Sequence, residues 1–192
     1  DAVTFDHEHV PTDLLQQLVD AGVAVRPGPA ALVYAQDNAA MRERLTALDI
    51  PAPAWRVTRT PEEFVAFGDE IGWPLIAKTS RGGYDGKGVW KVDGPEGAAE
   101  PFEALGRELG PTERVASTSS ANGASTSSAN GASTSSASDV VIVAEEFIPF
   151  TREMSVLVVR RPGGESVVYP VSETVQRAGI CHETTTPAPG LD

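Results

Sequence analysis

The chain contains 192 residues, which is enough for one ordinary domain or two small subdomains. Its hydrophobic fraction of 41% suits a globular core, and no apolar run approaches the roughly 20 residues that a membrane-spanning helix needs. An excess of 27 acidic over 15 basic residues gives a net charge of −12, which disfavours nucleic acid and anionic membranes as partners. Because the first residues carry no secretory leader pattern, a cytoplasmic location is expected.

The single cysteine, Cys181, cannot form an internal disulfide, which agrees with a reducing compartment. No general base is recognisable beside it in the sequence. A small packing residue near a strand is therefore the favoured interpretation, and a catalytic nucleophile is the disfavoured alternative.

The N-terminal quarter of the chain alternates between predicted strands and helices. Short strands are predicted at residues 2–5 and 23–25, flanking a helix at residues 12–21 whose leucines recur at helical spacing and whose end Gly22 can cap. A second helix is predicted at residues 37–48, where Met41, Leu45 and Leu48 form one stripe. This order is typical of an α/β unit.

A well-marked helix start follows at Thr60. Thr60 can cap the helix, Pro61 suits the first helical position and Glu63 completes a capping box, so a helix is predicted to residue 71. The remaining predicted elements are strands at residues 74–78 and 89–92, a helix at 96–109, strands at 140–143, 154–160 and 166–171, and a hairpin turn at 161–164.

A serine-rich segment at residues 117–138 contains the octapeptide Ser-Thr-Ser-Ser-Ala-Asn-Gly-Ala twice, followed by a partial third copy from Ser133. It holds no large apolar residue, so it cannot bury enough surface to offset its ordering entropy. A disordered surface insertion is predicted, and a serine-rich regulatory or modified segment is the alternative.

Residues 78–88 form a glycine-rich loop, Lys-Thr-Ser-Arg-Gly-Gly-Tyr-Asp-Gly-Lys-Gly, between two predicted strands. Glycine permits positive φ and lets a phosphate approach successive backbone amides, which then form an anion-binding concavity. Lys78, Arg81 and Lys87 add positive charge, which favours a phosphate-binding flap over ATP rather than a flexible hairpin turn. The loop is not a Walker A motif, because Gly88 follows Lys87 where a hydroxyl residue is needed. It is not a dinucleotide fingerprint either, because a strand follows.

Glu145 and Glu146 close the predicted apolar strand that follows the serine-rich segment. Backbone groups at such a strand end can recognise an adenine edge, and a carboxylate can accept hydrogen bonds from ribose hydroxyls. Glu153 is a candidate for a second polar contact. Taken alone, each glutamate is better explained as a solvated surface residue, but their position after a phosphate loop favours nucleotide binding.

Residues 4–10, Thr-Phe-Asp-His-Glu-His-Val, alternate acidic and histidine side chains. In a strand, Asp6 and Glu8 would face one way and His7 and His9 the other. Two histidines without a third ligand make a weak metal site, so no metal is predicted within this chain. A carboxylate pair that reaches a polar substrate at the carboxyl end of a strand is favoured.

Five segments occur in an order that resembles a known enzyme family. They are residues 4–10, Ala35-Gln36-Asp37, the loop 81–88, residues 145–153 (Glu-Glu-Phe-Ile-Pro-Phe-Thr-Arg-Glu) and residues 169–176 (Tyr-Pro-Val-Ser-Glu-Thr-Val-Gln). Together they are similar to the 5-(carboxyamino)imidazole ribonucleotide synthases, which are ATP-grasp ligases of bacterial purine biosynthesis. The resemblance covers the chain except for the serine-rich segment, whereas the glycine loop alone would indicate only the ATP-grasp fold.

The resemblance implies an activity and a set of binding residues. ATP and bicarbonate would give carboxyphosphate and ADP, and the exocyclic amine of 5-aminoimidazole ribonucleotide would then capture the carboxyl carbon. Lys78 would contact ATP phosphate, residues 145–148 would hold adenine, and Glu8 and Tyr84 would lie near the ribonucleotide and bicarbonate. The implied ATP-binding residues are Lys78, Gly83, Tyr84, Asp85, Gly86, Lys87, Gly88, Val89, Glu145, Glu146, Phe147, Ile148, Glu153 (ribose) and Gln176. No residue is assigned as catalytic.

The resemblance also implies an α/β and α+β fold, an ATP-grasp fragment that follows the end of a Rossmann-like pre-ATP-grasp domain. Residues 1–36 would belong to that N-terminal domain and residues 37–192 to a partial ATP-grasp domain. The chain starts in a strand-like run without an initiator methionine and stops without a closing element, so an incomplete chain is expected. The family's magnesium-binding Glu and Asn are expected outside this chain.

Three positions depart from the family's pattern. Asn38 stands where the family usually has a lysine or arginine that touches ATP, and losing a charge-assisted contact would cost about 1.5–3 kcal/mol. Gln176 occupies a position that is histidine in some members, and His182 one where arginine is common.

Two other functions stay open at the level of sequence. One is an ATP-grasp relative with another substrate, such as a glycinamide ribonucleotide enzyme or a biotin carboxylase, although their acceptor segments should not carry Thr-Phe-Asp-His-Glu-His-Val. The other is a nucleotide-binding fragment without catalytic activity, which Asn38 and the missing magnesium ligands favour. The family tends to be dimeric, which leaves a homodimer as one candidate assembly.

Overall fold

The computed structural model describes residues 2–83, 86–108, 140–161 and 163–191, so the predicted serine-rich insertion lies outside the described residues. The chain divides into two compact units. The first comprises Asp1–Gly83 and Gly88–Phe147, and the second comprises Tyr84–Lys87 and Ile148–Asp192. Across the described ranges, no helix is both long and apolar enough to cross a bilayer. The family-based boundary between residues 36 and 37 stays a prediction.

The first unit begins with the βαβ order that the sequence predicts. In chain order its elements are β1 (Ala2–Val3), α1 (Thr12–Asp20), β2 (Ala24–Val25), α2 (Pro29–Gln36), α3 (Asn38–Ala47), β3 (Trp55–Thr58), α4 (Pro61–Ile71), β4 (Leu75–Thr79), β5 (Val89–Val92), a 3-10 turn (Pro95–Gly97), α5 (Ala99–Glu108) and β6 (Ile142–Glu146). Strands β1 and β2 pair in parallel. Leu15, Val25 and Leu32 bury a small core beside them. Helix α2 and strand β3 were not predicted.

The centre of the first unit is a four-stranded antiparallel sheet with the strand order β3-β6-β4-β5. Alternate residues of β4, including Leu75 and Ala77, face a core that helices α4 and α5 cover. That core is built from Phe64, Phe67, Leu75, Ala77, Val92, Ala98, Leu105, Ile142 and Ala144. Because side chains alternate along a strand, Ile76 and Lys78 lie on the opposite face of the sheet.

The two central helices of this unit begin at side-chain caps. The Thr60 side chain accepts a hydrogen bond from the Glu63 backbone amide, as predicted, while the Glu63 carboxylate accepts one from the Arg59 amide rather than from Thr60. Asp37 caps α3 by accepting from the amides of two following alanines. The predicted start of that helix at residue 37 is therefore the capping position.

Within helix α4, Gly68 allows the ring of Trp73 to lie directly against the helix. A Cβ at residue 68 would lie 2.3 Å from Trp73 Cζ2. Trp73 also packs against Phe64, with ring centroids 6.1 Å apart. This glycine is therefore a packing residue inside a helix, where glycine normally weakens the structure.

The second unit consists of short strands: β7 (Glu153–Ser155), β8 (Val158–Arg160), β9 (Ser166–Val168), β10 (Ser172–Arg177) and β11 (Ile180–Thr185). They form an antiparallel sheet with the order β11-β10-β7 and a separate hairpin of β8 and β9. The predicted hairpin between the strands at residues 154–160 and 166–171 is confirmed, because β8 and β9 pair antiparallel. The single predicted strand at residues 154–160 is wrong, because it divides into β7, paired with β10, and β8, paired with β9.

Candidate functional site

The glycine-rich loop connects two adjacent antiparallel strands, as the sequence predicts. Gly82, Gly83, Gly86 and Gly88 all have positive φ, between 71° and 78°, a conformation that other residues adopt at a cost. Gly88 is held most tightly, because a Cβ there would lie 2.6 Å from Oγ1 of Thr79, and its carbonyl accepts a hydrogen bond from the Thr79 amide. The contact between Thr79 and Gly88 therefore holds the two ends of the loop together at the end of β4.

The loop residues are divided between the two units. Gly83, Gly88 and Val89 belong to the first unit, whereas Gly86 and Lys87 belong to the second. Tyr84 and Asp85 lie outside the described residues, so their predicted roles stay predictions. Within the second unit, Gly86 packs closely on the backbone of Gly179, whose Cα would lie 3.0 Å from an added Cβ.

A buried ion cluster lies on the face of the sheet opposite the α4–α5 core. Arg42 of α3 donates two hydrogen bonds to Glu145 of β6, from Nε to Oε1 and from an Nη to Oε2, both at 2.8 Å. Lys78 Nζ donates to the same Oε2, also at 2.8 Å. The side chains of Glu145, Arg42 and Lys78 are 4%, 11% and 29% exposed, respectively. Two predicted site residues, Lys78 and Glu145, are therefore brought into direct contact.

Strand register explains why Lys78 and Glu145 meet. Glu145 is opposite Ile76 in the β4–β6 ladder, so Lys78 is its diagonal neighbour on the same face. Diagonal neighbours lie within reach of long side chains. Burial by itself would raise the pKa of the Glu145 carboxyl, but hydrogen bonds from Arg42 and Lys78 and their positive charges outweigh burial and hold that pKa below its ordinary value.

Arg42 was not predicted as a site residue. Its partner is 103 positions away, and its only sequence signal is a basic residue within a helix. The Arg42 carbonyl accepts a hydrogen bond from Thr46 Oγ, which in turn accepts one from the indole of Trp55. Trp55 lies opposite Glu145 in the β3–β6 ladder, so helix α3 and strand β3 together fix the surroundings of the cluster.

Residues just after the cluster end the strand β6. The Glu146 amide donates to the Ala54 carbonyl, and its carboxylate accepts from the Ala54 amide at 3.2 Å. Phe147 ends the first unit, with its ring centroid 5.3 Å from Lys91 Nζ. Ile148 begins the second unit, where its carbonyl accepts from the Phe150 amide. The Glu145 side chain is buried and that of Glu146 is exposed, and the predicted nucleotide contacts of both residues stay predictions.

A second concave region of the first unit surrounds the predicted acceptor segment. Residues 4–10 form bends and irregular backbone rather than a strand, so the strand alternation predicted for Asp6 and Glu8 against the two histidines is wrong. Gln36 fixes this segment by donating to the carbonyls of Glu8 and Val10. A cavity of about 270 Å³ is lined by Glu8, His9, Val10, Pro11, Thr12, Ala35, Gln36, Arg81 and Gly82.

Asn38 has a structural contact of its own. Its side-chain amide donates to the Thr79 carbonyl at 2.8 Å, and its backbone amide donates to the Ser80 carbonyl at 2.7 Å. Arg81 Nε donates to the Asp37 carboxylate at 2.8 Å beside it. The start of helix α3 is therefore attached to the start of the glycine loop by uncharged and charged contacts together.

Two of the predicted nucleotide contacts in the second unit, Glu153 and Gln176, lie on paired strands. Glu153 is opposite Thr174 in the β7–β10 ladder, and Gln176 follows on β10, where the register shifts. Arg152 and Glu173 form an ion pair at 2.8 Å beside them, and the Arg152 hydrogen bonds hold the pKa of the Glu173 carboxyl below its ordinary value. These strands place Glu153 and Gln176 on one small sheet.

Among the residues that the structure describes, no three His, Cys, Asp or Glu side chains are grouped closely enough to hold a metal ion. The described residues therefore do not supply a donor set that fits magnesium. Cys181 lies exposed on β11.

Comparison with known proteins identifies the class to which this fold and loop belong. The sequence pattern of the ATP-grasp domain family matches residues 43–191. The chain belongs to the ATP-grasp family. It is similar over its whole length to N5-carboxyaminoimidazole ribonucleotide synthases, with 40% identity to the protein of Corynebacterium ammoniagenes and 37% to that of Mycobacterium tuberculosis H37Rv. The chain spans about two fifths of these relatives, 39% and 38% of their lengths.

Solved structures agree with this relationship. Carboxyaminoimidazole ribonucleotide synthase from Aspergillus clavatus in complex with ATP is 27% identical and superimposes with a TM-score of 0.75 over all of this chain and 42% of that one. The same enzyme with ADP and 5-aminoimidazole ribonucleotide gives a TM-score of 0.74 at 26% identity, over 100% of this chain and 41% of that one. The predicted fold class and the resemblance are confirmed.

Proposed function

We propose that this chain serves the ATP-dependent carboxylation of 5-aminoimidazole ribonucleotide by bicarbonate, which gives 5-(carboxyamino)imidazole ribonucleotide, ADP and phosphate. The observation that carries the proposal is the ion cluster of Arg42, Lys78 and Glu145 at the strand that leads into the glycine loop. The cluster presents a lysine beside a backbone adapted to anions. A solved relative, the carboxyaminoimidazole ribonucleotide synthase from Aspergillus clavatus, is in complex with ATP.

The cluster suits the binding of a triphosphate. Two cations share one carboxylate, so the cluster has a net charge of +1, and its most exposed member is Lys78. Gly82 and Gly83 both have positive φ, the conformation in which successive backbone amides can form an anion-binding concavity. Charge neutralisation and positioning are the main requirements of phosphoryl transfer.

The cavity beside Glu8 suits a polar acceptor. In the proposed reaction a bicarbonate oxygen attacks the γ-phosphorus of ATP and ADP leaves, which gives carboxyphosphate. The exocyclic amine of the ribonucleotide then attacks the carboxyl carbon, phosphate leaves, and the amine nitrogen loses one proton. We assign the Glu8 side of the cavity to the ribonucleotide and bicarbonate, because the cavity pairs a carboxylate with Arg81 and Gln36. The assignment of Tyr84 to the same substrates rests on the resemblance alone.

The remaining site assignments belong to the same proposal. Residues 145–148 would hold adenine, Glu153 the ribose, and Gln176 a further part of the nucleotide. Because the Glu145 carboxylate is occupied by two cations, the adenine edge would be recognised by backbone groups after the strand end. Magnesium, a cytoplasmic location and a homodimer are part of the proposal for the whole enzyme.

A chimaera tests the activity. This chain would replace the matching 191-residue segment of the Corynebacterium ammoniagenes synthase, to which it is 40% identical. We expect ADP formation that requires both bicarbonate and 5-aminoimidazole ribonucleotide, and loss of that activity on Lys78→Ala. A folded chimaera that hydrolyses ATP without regard to the ribonucleotide would contradict the proposed acceptor.

Binding by the 192-residue chain tests the phosphate role separately. We expect weak ATP binding by isothermal titration calorimetry and no turnover, with binding weakened further by Lys78→Ala. Arg44→Ala is the control, because Arg44 is an exposed basic side chain on helix α3 outside the proposed site. Equal titrations for Lys78→Ala and the unaltered chain would contradict the phosphate role.

A nucleotide-binding protein without catalysis is the second candidate. It is favoured by Asn38, because its side-chain amide donates a hydrogen bond to the Thr79 carbonyl and brings no charge to the loop. The chimaera distinguishes the two candidates: ATP binding without ADP formation supports the second, whereas acceptor-dependent ADP formation supports the first.

A further inference from the structure

In the buried ion cluster of the first unit, the two cations share the Glu145 carboxylate unequally. Arg42 bonds both oxygens of Glu145 in a fork, whereas Lys78 touches only Oε2. Arg42 is also the less exposed of the two cations, 11% against 29%. The carboxylate is therefore neutralised mainly by Arg42, and the surplus positive charge lies at Lys78.

We propose that Arg42 is a positioning residue that releases Lys78 for an anionic phosphate, an inference that rests on the proposed function. A lysine that is the only partner of a buried carboxylate cannot turn to another anion without leaving that carboxylate unpaired, which is strongly unfavourable. With Arg42 in place, Glu145 keeps two charge-assisted hydrogen bonds while Lys78 turns away. The fork matters because a lysine at residue 42 would supply charge but a single contact.

On helix α3, Arg42 is the basic side chain that contacts the buried carboxylate. Asn38, one turn before Arg42 on the same helix face, donates to the Thr79 carbonyl and supplies no charge. The other basic residue of the helix, Arg44, is exposed. Arg42 is thus the cation that α3 directs at the sheet, and Arg44 offers a matched control on the same helix.

The test is a double-mutant cycle read by calorimetric titration of the 192-residue chain with ATP. With Glu145 present, Arg42→Met should weaken ATP binding by about tenfold, because Lys78 becomes the sole partner of the carboxylate. With Glu145→Gln, the same change should weaken binding by less than about twofold, because a neutral amide does not retain Lys78. Arg42→Lys should give an intermediate loss, and Arg44→Met no change.

Equal losses with Glu145 and with Gln at that position would overturn the inference, because Arg42 would then act on the nucleotide or the fold directly. The absence of any loss with Glu145 present would overturn it as well. Far-UV circular dichroism checks that each variant is folded, and Arg42→Lys carries the same comparison if Arg42→Met does not fold.

Lys78→Met separates this inference from the proposed function. If Lys78→Met leaves ATP affinity unchanged, or the unaltered chain does not bind ATP, the phosphate role itself fails and the positioning role fails with it. If Lys78→Met weakens ATP binding while Arg42→Met does not, only the positioning role of Arg42 fails.

Discussion

Replacing Arg42 by methionine should destabilise the first unit by about 3 kcal/mol. Methionine keeps an unbranched apolar stem and good helix propensity but removes the charge and the donors. Of the three hydrogen bonds that the Glu145 carboxylate accepts from described side chains, only the one from Lys78 would remain. Removing one partner of a buried pair costs about 3–5 kcal/mol, and the remaining lysine places this change at the lower end of that range.

Two further variants set the scale for this prediction. Lys78→Met leaves both bonds from Arg42 to Glu145 and removes a more exposed partner, so a loss of about 1 kcal/mol is expected. Arg44→Met makes the same substitution on the exposed side of the same helix and should change the free energy of unfolding by less than about 0.5 kcal/mol.

Urea unfolding followed by far-UV circular dichroism measures these differences. All five α-helices of the described residues lie in the first unit, so the helical signal reports mainly on that unit. The expected order of destabilisation is Arg42→Met, then Lys78→Met, then Arg44→Met. The reasoning would be refuted if Arg42→Met cost no more than Arg44→Met, or if Lys78→Met cost as much as Arg42→Met.

Three other predictions concern pH and glycine. The folded-state pKa of the Glu145 carboxyl lies below its ordinary value of 4.5. The ionised carboxylate therefore stabilises the fold fully above pH 4.5, and this stabilisation is lost as the pH falls through the folded-state pKa. Urea titrations between about pH 6 and about pH 3.5 should therefore show a steeper acid loss of stability for the unaltered chain than for Glu145→Gln. Gly88→Ala should lower the melting temperature more than Gly82→Ala. Both glycines have positive φ, but only at Gly88 does a neighbouring side chain, that of Thr79, occupy the space of the new Cβ. Equal melting temperatures would contradict this. Gly68→Ala should lower the melting temperature despite the higher helix propensity of alanine, because the new Cβ overlaps Trp73; a rise would contradict the packing described here.

Elements with strong local signals could be predicted from the sequence, and weakly marked ones could not. The helix after Thr60 carries its cap and first-turn proline in the sequence, and its start was predicted correctly. Helix α2 was missed because Pro27-Gly28-Pro29 reads as a loop, although Pro29 occupies the first turn of a helix, where its missing amide is not needed. Strands β10 and β11 were missed because they lack an apolar alternation: β11 is exposed throughout, and β10 is partly buried only in its first half.

The candidate site was predictable only in part for a related reason. The glycine loop is local, so its composition and spacing were enough to predict its place between two antiparallel strands. The partner of Lys78 depends on the β4–β6 register across 67 positions, and the partner of Glu145 on helix α3 depends on packing across 103 positions. No short-range pattern encodes either separation, so the sequence does not reveal that Glu145 is the buried centre of an ion cluster.

Trp55 is a fluorescent side chain that lies next to the ion cluster. Its indole is joined to the helix that carries Arg42 through Thr46, and it lies opposite Glu145 in the sheet. Trp90, by contrast, stands opposite Ala77 and packs against the α4–α5 core on the other face of the sheet. Of the three tryptophans in the chain, Trp55 is therefore the natural fluorophore beside the ions. Its emission reports events at this face of the sheet without an attached dye.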